Sequence, residues 1–297
     1  IKAYKKYKLS NDLFTRQLEV ITTKTGHAAI NKACELLDLK LIYVKLNKEY
    51  VMDTYDLKKC NVDIILSNAF HLMLRPGTNL IEKFGGLHQL MNWDGLILTD
   101  SGGYQVFSLA KINNISDKGV EFKNPRDGSH VFLSPEKVMQ IQMDLGSDIA
   151  MAFDHCPPHT ANENDIQDSL DRTHLWLEKC VETHQKSNQA LFGIVQGGRH
   201  PKLREISAKF TSSFDLPGIA VGGVSVGESV DQIHNVINFV PKFLPRDKPR
   251  YLMGIGSLQE ITLAIAKGFD LFDCVLPTRL GLSLIHISEP TRPRLIS

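Results

Sequence analysis

Seven short apolar runs that do not alternate with polar residues constrain the fold of this sequence most. They are "VDIILSN" at 62–68, "LILTDSGG" at 96–103, "DIAMAFD" at 148–154, "LFGIVQGG" at 191–198, "GIAVGG" at 218–223, "YLMGIGS" at 251–257 and "FDLFDCVLP" at 269–277. A run without period-two alternation is the pattern of a strand buried on both faces, as in parallel sheets covered by helices. Each ends in a polar or glycine-rich turn, and helix-like segments lie between. "SPEKVMQIQMDLGS" offers Ser134 as N-cap and Pro135 at the first helical position. "DIQDSLDRTHLWLEKCVETHQ" places Ile166, Leu170, Leu175, Leu177 and Val181 mostly on one face, and "SLQEITLAIAKGFD" carries Leu258, Ile261 and Ile265 before a stop at Gly268. With "KLIYVK" (40–45) as a possible first strand, the repeat predicts a (β/α)8 TIM barrel with insertions. An open doubly wound sheet satisfies the same alternation. No G-x-G-x-x-G follows the first strand, which weakens a dinucleotide-binding reading. "GVEFKNPRDGSHVFLS" breaks the rhythm and reads as an inserted hairpin turning at Asp127-Gly128.

Composition narrows the class. The 297 residues are 42% hydrophobic and 23% charged with a formal net charge of +1, ordinary for a soluble globular chain. No apolar stretch reaches the roughly 18 residues of a membrane span, and the basic "IKAYKKYKLSND" lacks the apolar core of a secretory signal. Cys34, Cys60, Cys156, Cys180 and Cys274 are scattered and odd in number, which fits a reducing cytoplasm and assembles no metal site by spacing. The near-neutral charge exerts no general pull on nucleic acid, so any such binding needs a local patch.

In a parallel barrel the loops after the strands form the active site. Those strand ends read Asn68, Asp100, Asp154, Gln196, Gly222-Gly223, Gly254 and Asp273. Taken singly, an aspartate there is as readily a helix cap and a glycine pair a tight turn; Asp273 is also spaced for a salt bridge to Arg279. Together they suit a flat polar ligand. Glycines let backbone groups approach it closely. Asp154, Gln196 and the Gly223 backbone are placed to hydrogen-bond a heterocycle's edge, and Tyr104 to stack on its face. Asp100 and Asp273 remain for chemistry, and paired carboxylates at an anomeric carbon are a common means of glycosyl transfer.

"ILTDSGGYQVFSL" (97–109), "FDHCPP" (153–158), "FGIVQGG" (192–198), "VGGVSVGE" (221–228), "YLMGIG" (251–256), "FDCVLPTR" (272–279) and "RPGTNLIEKFGGLHQLMNWDG" (75–95) resemble the signature blocks of the tRNA-guanine transglycosylases. The likeness runs from about Tyr50 to Arg279. It implies a TIM barrel that exchanges the wobble guanine of tRNAs with GUN anticodons for a 7-deazaguanine, a step of queuosine biosynthesis. By this resemblance Asp273 is the nucleophile that forms a covalent glycosyl-enzyme, and Asp100 the general acid and base. Asp154, Gln196, Gly223, Val224 and Met253 would bind the base, above a floor of Ser101, Gly102, Gly103 and Tyr104. Gly254, Ile255, Gly256, Ser257, Leu258, Gln259 and Glu260, with Thr278 and Arg279, fall where the family contacts RNA. Val226 and Cys156 lean towards the bacterial type; a valine fills the room that a queuine side ring needs, so the expected incoming base is 7-aminomethyl-7-deazaguanine. The implied partners are the tRNA anticodon loop, the free base and a second copy in a homodimer, with no membrane. No cofactor is needed for the chemistry, since one glycosidic bond replaces another.

Two stretches depart from the family. Residues 1–49 form a divergent N-terminal segment whose part from 27 to 49 lacks the pocket-lining sequence the family has there, against a catalytic barrel at 50–281. Residues 282–297 read as a non-native tail, because "LSLIHISEPTR" (282–292) resembles a translated sequencing adapter. The family continues instead into a Cys-x-Cys-x2-Cys zinc subdomain and a closing helix. A structural zinc is therefore expected in the full-length protein, with no ligand for it in this chain. A domain is stable by only about 5–15 kcal/mol, and each large apolar side chain contributes roughly 1.5–3 kcal/mol on burial. Loss of a closing helix therefore predicts a marginal or inactive fragment. The alternatives to the exchange enzyme are a non-catalytic barrel subunit of a tRNA-modifying heterodimer, against which both aspartates argue, and a retaining glycosidase, against which Asp154 and Gln196 argue.

Overall fold

A computed structural model describes residues 19–23, 40–44, 63–109, 111–185 and 188–274. Within it lie two compact units, one containing residues 1–62, 256–258 and 274–297, the other residues 63–255 and 259–273. In the first, β1 (Glu19–Thr23) and β2 (Lys40–Val44) pair in parallel, Ile21 opposite Ile42. The strand expected at 40–45 therefore forms, and it forms in a two-stranded sheet of its own.

The second unit contains all seven apolar runs as strands. They are β3 (Ile64–Ser67), β4 (Leu96–Thr99), β8 (Ile149–Met151), β9 (Ala190–Val195), β10 (Gly218–Val221), β11 (Arg250–Leu252) and β12 (Leu271–Phe272). Each pairs in parallel with the next in this series, and the order never reverses. A doubly wound sheet needs such a reversal, so the order decides for the barrel.

Register explains why the runs do not alternate. Leu98 faces Ile149, Met151 faces Phe192, Ile194 faces Ala220 and Tyr251 faces Leu271. These side chains share one interior cluster that Ile64 also joins. The intervening positions, Val195, Ile219, Val221 and Leu252, pack outward against helices. Both faces are apolar because both are covered.

The helices are α1 (Ala69–Leu74), α2 (Thr78–Lys83), α3 (Leu87–Met91), α4 (Gly103–Leu109), α5 (Pro135–Leu145), α6 (Glu163–Thr183), α7 (Pro201–Ser212), α8 (Val230–Phe239) and α9 (Leu258–Ala266). Ser134 caps α5 by accepting the Lys137 N–H, with Pro135 at its start, as its sequence predicts. The apolar face of α6 is turned from the predicted one. Ile166, Leu170 and Leu177 are buried with Ser169, Thr173, Trp176 and Cys180, while Leu175 and Val181 lie at its margin. The Trp176 indole stacks on Phe153 with centroids 4.5 Å apart, and that contact sets the rotation.

The predicted hairpin pairs β6 (Gly119–Lys123) with β7 (His130–Leu133). A third strand, β5 (Lys111–Ser116), completes an antiparallel sheet inserted between β4 and β8. Gln142 on α5 accepts from Thr99 Oγ1 at 3.0 Å and from the Met151 N–H at 2.9 Å. That amide ties the ends of β4 and β8, from which Asp100 and Asp154 follow. Among the described residues no helix is long and apolar enough to cross a membrane.

Candidate active site

Asp100 leaves the end of β4 and is held by the loop after β3. Its Oδ1 accepts the Ala69 N–H at 2.8 Å and its Oδ2 accepts from Asn68 Nδ2 at 2.7 Å. Asn68 is the N-cap of α1, and its other atom, Oδ1, accepts the His71 N–H. One side chain thus starts a helix and holds the acid. Burial raises the Asp100 carboxyl to about 7; the Ala69 N–H opposes the rise, and the negative charge of Asp273 adds to it. The acid is therefore divided between its protonated and ionised forms near neutral pH.

Asp273 follows β12, the last strand. Its Oδ1 accepts both the Tyr251 hydroxyl at 2.7 Å and the Gly254 N–H at 2.8 Å. Tyr251 is buried in the barrel interior. Burial, and then the charges of Asp273 and Asp100, push its phenol far above the ordinary range. Asp100 and Asp273 stand on the second and seventh strands of the sheet, and each is near enough to act on Tyr251. The sheet must curl to bring them together.

A second cluster stands at the ends of β8, β9 and β10. Gln196 Nε2 donates to Asp154 Oδ2 at 2.6 Å, and Ser101 Oγ donates to Asp154 Oδ1 at 3.3 Å. Burial raises the Asp154 carboxyl to about 6 against these two hydrogen bonds. The other end of the Gln196 amide, Oε1, is buried without a hydrogen-bond partner among the described residues. An acceptor left in that state is costly unless a ligand satisfies it. Gly223, at φ +58°, lies directly against this oxygen, and a Cβ there would collide with it. Gly103 is likewise pressed to Asp154: a Cβ would stand 2.9 Å from the Asp154 carbonyl and carboxyl oxygens.

Arg204 on α7 holds these loops and was not legible as a site residue. Its buried guanidinium donates to four main-chain carbonyls, Gly198 at 2.8 Å, Val195 at 3.1 Å, Gly222 at 2.7 Å and Gly223 at 2.6 Å. Burial lowers its pKa to about 10, so the cation persists at neutral pH. Nothing local marks it, since its partners are carbonyls that every residue has. His155 was also missed. It stacks on Phe107 at 4.5 Å and takes a hydrogen bond from Arg172 Nη1 at 3.1 Å, while burial lowers its pKa to about 4.

The remaining expected residues divide. Tyr104 lies in the first turn of α4 with half its surface exposed. Cys156 is a buried thiol pushed up to about 12 by burial and the Asp154 charge. Val226 and Met253 are half-buried, and the Val226 N–H donates to Glu228 Oε2 at 2.7 Å. The Val224 side chain belongs to the outer core, which leaves only its backbone for a ligand. In the run expected to contact RNA, Ile255 and Glu260 are buried, so their side chains present no such surface, whereas Leu258 and Gln259 are exposed. Packing against the outer helices explains Ile255. Thr278, Arg279 and the tail lie outside the described residues, as does most of 27–49. Among the described residues no group of His, Cys, Asp and Glu side chains could hold a metal ion.

Fold and site define a (β/α) barrel with a carboxylate pair at the strand ends and an unsatisfied amide beside it. The chain belongs to the queuine tRNA-ribosyltransferase family, whose sequence model matches residues 41–287. It is 82% identical over 230 residues to a queuine tRNA-ribosyltransferase of Prochlorococcus marinus strain MIT 9515, covering 77% of this chain and 62% of that protein. It is 61% identical over 225 residues to the same-named protein of strain MIT 9211, covering 76% of this chain and 60% of that one. The chain thus spans about three fifths of the length of the curated relatives it matches.

Proposed function

We propose that this chain carries the base-exchange site of a tRNA-guanine transglycosylase that acts through a covalent glycosyl-enzyme. The observation that carries the reading is the pair of unlike carboxyls. Asp100 is held near 7, where it can both give and take a proton, and Asp273 is oriented through one oxygen. Asp273 attacks the anomeric carbon of the wobble nucleoside while Asp100 protonates the departing guanine. Asp100 then deprotonates the incoming base, which displaces Asp273. Two displacements at one carbon retain its configuration.

The second cluster supports guanine as the heterocycle. Its N–H and amino donors need buried acceptors, and Asp154 and the free Gln196 Oε1 are such acceptors. The Gly223 backbone completes the edge, with Tyr104 on the ring face. With Val226 narrowing the pocket, the incoming base is 7-aminomethyl-7-deazaguanine. The tRNA partner is engaged through its anticodon loop. In the full-length protein a homodimer, a structural zinc and a cytoplasmic location complete the reading.

The test is incorporation of labelled guanine into unmodified tRNA, with a denaturant-stable tRNA adduct scored in parallel. Wild type should give both and Asp273→Asn neither. Exchange that survives in Asp273→Asn sinks the mechanism, and preferential incorporation of queuine sinks the assignment of the base.

A further inference from the structure

Among the described residues, both donors to the Asp273 carboxylate reach the same oxygen. Tyr251 lies in the middle of β11, registered opposite Leu271, and its ring is packed among the interior side chains. Its hydroxyl reaches Oδ1 at 2.7 Å, and the Gly254 N–H reaches the same oxygen at 2.8 Å. Among the described residues Oδ2 accepts no hydrogen bond. Two donors on one oxygen remove the carboxylate's freedom to rotate and to exchange its oxygens.

We propose that Tyr251 is a positioning residue for the nucleophile: with the Gly254 N–H it holds Oδ1, so that Oδ2 is the atom that attacks. The inference rests on the base-exchange reading above. In the first half-reaction an Oδ2 lone pair forms the bond to the anomeric carbon. The carbon–nitrogen bond breaks with its electron pair going to guanine, which takes the Asp100 proton. In the second, the incoming base gives its ring N–H proton to Asp100, and its electron pair forms the new glycosidic bond. The carbon–Oδ2 pair returns to Asp273. As the ester breaks, negative charge reappears on the carboxylate, and the two donors on Oδ1 strengthen while it does. The phenol suits this task because its buried, anion-flanked setting keeps it protonated.

The test variant is Tyr251→Phe, which keeps the ring that packs in the interior and removes only the donor. The kcat of guanine exchange should fall about 10- to 100-fold, the effect of losing one hydrogen bond to a charged group. Formation and breakdown of the covalent tRNA adduct should both slow. The equilibrium Kd for guanine and the KM for guanine should stay within about twofold of wild type, since the variant keeps the ring in the interior cluster against which Met253 packs and removes only the hydroxyl bonded to Asp273. An unchanged kcat overturns the inference. So does guanine binding that weakens in step with kcat, because it would mark general damage to the site. A wild-type chain that forms neither adduct nor exchange product removes the base-exchange reading and this inference with it. An active wild type matched by Tyr251→Phe removes the inference alone.

Discussion

The two halves of the site are built in opposite ways. On the base-edge side Asp154, Gln196 and Arg204 are 6%, 1% and 1% exposed, and their hydrogen bonds cross three strand ends. On the carboxylate-pair side Asp100 and Asp273 keep more of their surface exposed, and burial of the carboxyl still holds Asp100 near 7. On the base-exchange reading proposed above, the difference suits two different tasks. Recognition of a flat base needs donors and acceptors that cannot move, and preorganisation is cheapest where solvent is excluded. Proton and glycosyl transfer need groups whose charge can change, and such groups must retain some contact with solvent or substrate. Among the described residues Gln196 Oε1 is the atom of this network left without a hydrogen bond.

The comparison breaks first at Asp273. Asp273→Asn should lower exchange by about 10⁴-fold or more, as removal of a covalent nucleophile does, with guanine binding intact. A loss of binding instead would merge the two halves.

Asp100→Asn separates activity from stability. Exchange should drop by about 10²–10⁴-fold. Folding should respond with the opposite sign. An aspartate raised from 3.8 to about 7 stabilises the fold fully below about 4, and that contribution is lost as pH rises from 4 to 7. The amide variant avoids the loss, so at pH 7.5 it should be more stable by about 1–3 kcal/mol, with no gain at pH 4. Paired denaturation curves at the two pH values measure it. The same reasoning for Asp154 confines its effect to the window from about 4 to 6.

Arg204→Met tests whether the rigid half depends on one cation. It removes the donor from the Gly198, Gly222 and Gly223 carbonyls and one of two from Val195, which keeps the Gly222 N–H, and the fold should lose about 2–4 kcal/mol. A melting temperature equal to wild type would show that water replaces the guanidinium.

Gly223→Ala is expected to be the mildest. The added methyl meets Gln196 Oε1 and strains a left-handed backbone. The KM for the base should rise about 10-fold with kcat changed less, by the cost of an L-residue at positive φ. A kcat effect larger than the KM effect would place Gly223 in the reactive half.

Much of this was legible in one dimension, and the boundary is physical. Unalternating apolar runs announce strands covered on both faces, and all seven runs became strands. Their polar terminators named Asp100, Asp154, Gln196 and Asp273 because a parallel barrel puts those ends together. The Ser134 cap needed only neighbours within one turn. What failed depended on contacts distant in sequence. The face of α6 was decided by Trp176 against Phe153, and β5 by a partner strand whose register carries a bulge.

The sequence by itself determined the order of the elements, the choice of family and the chemical types at the strand ends, because those follow from local periodicity and residue identity. Only the tertiary structure decided which oxygen of Asp273 is held, why Asp100 is raised, that Gln196 leaves an oxygen free and that Arg204 holds two loops through carbonyls. Burial, charge proximity and hydrogen-bond direction exist only after the sheet has curled and brought its second and seventh strands within reach of one phenol.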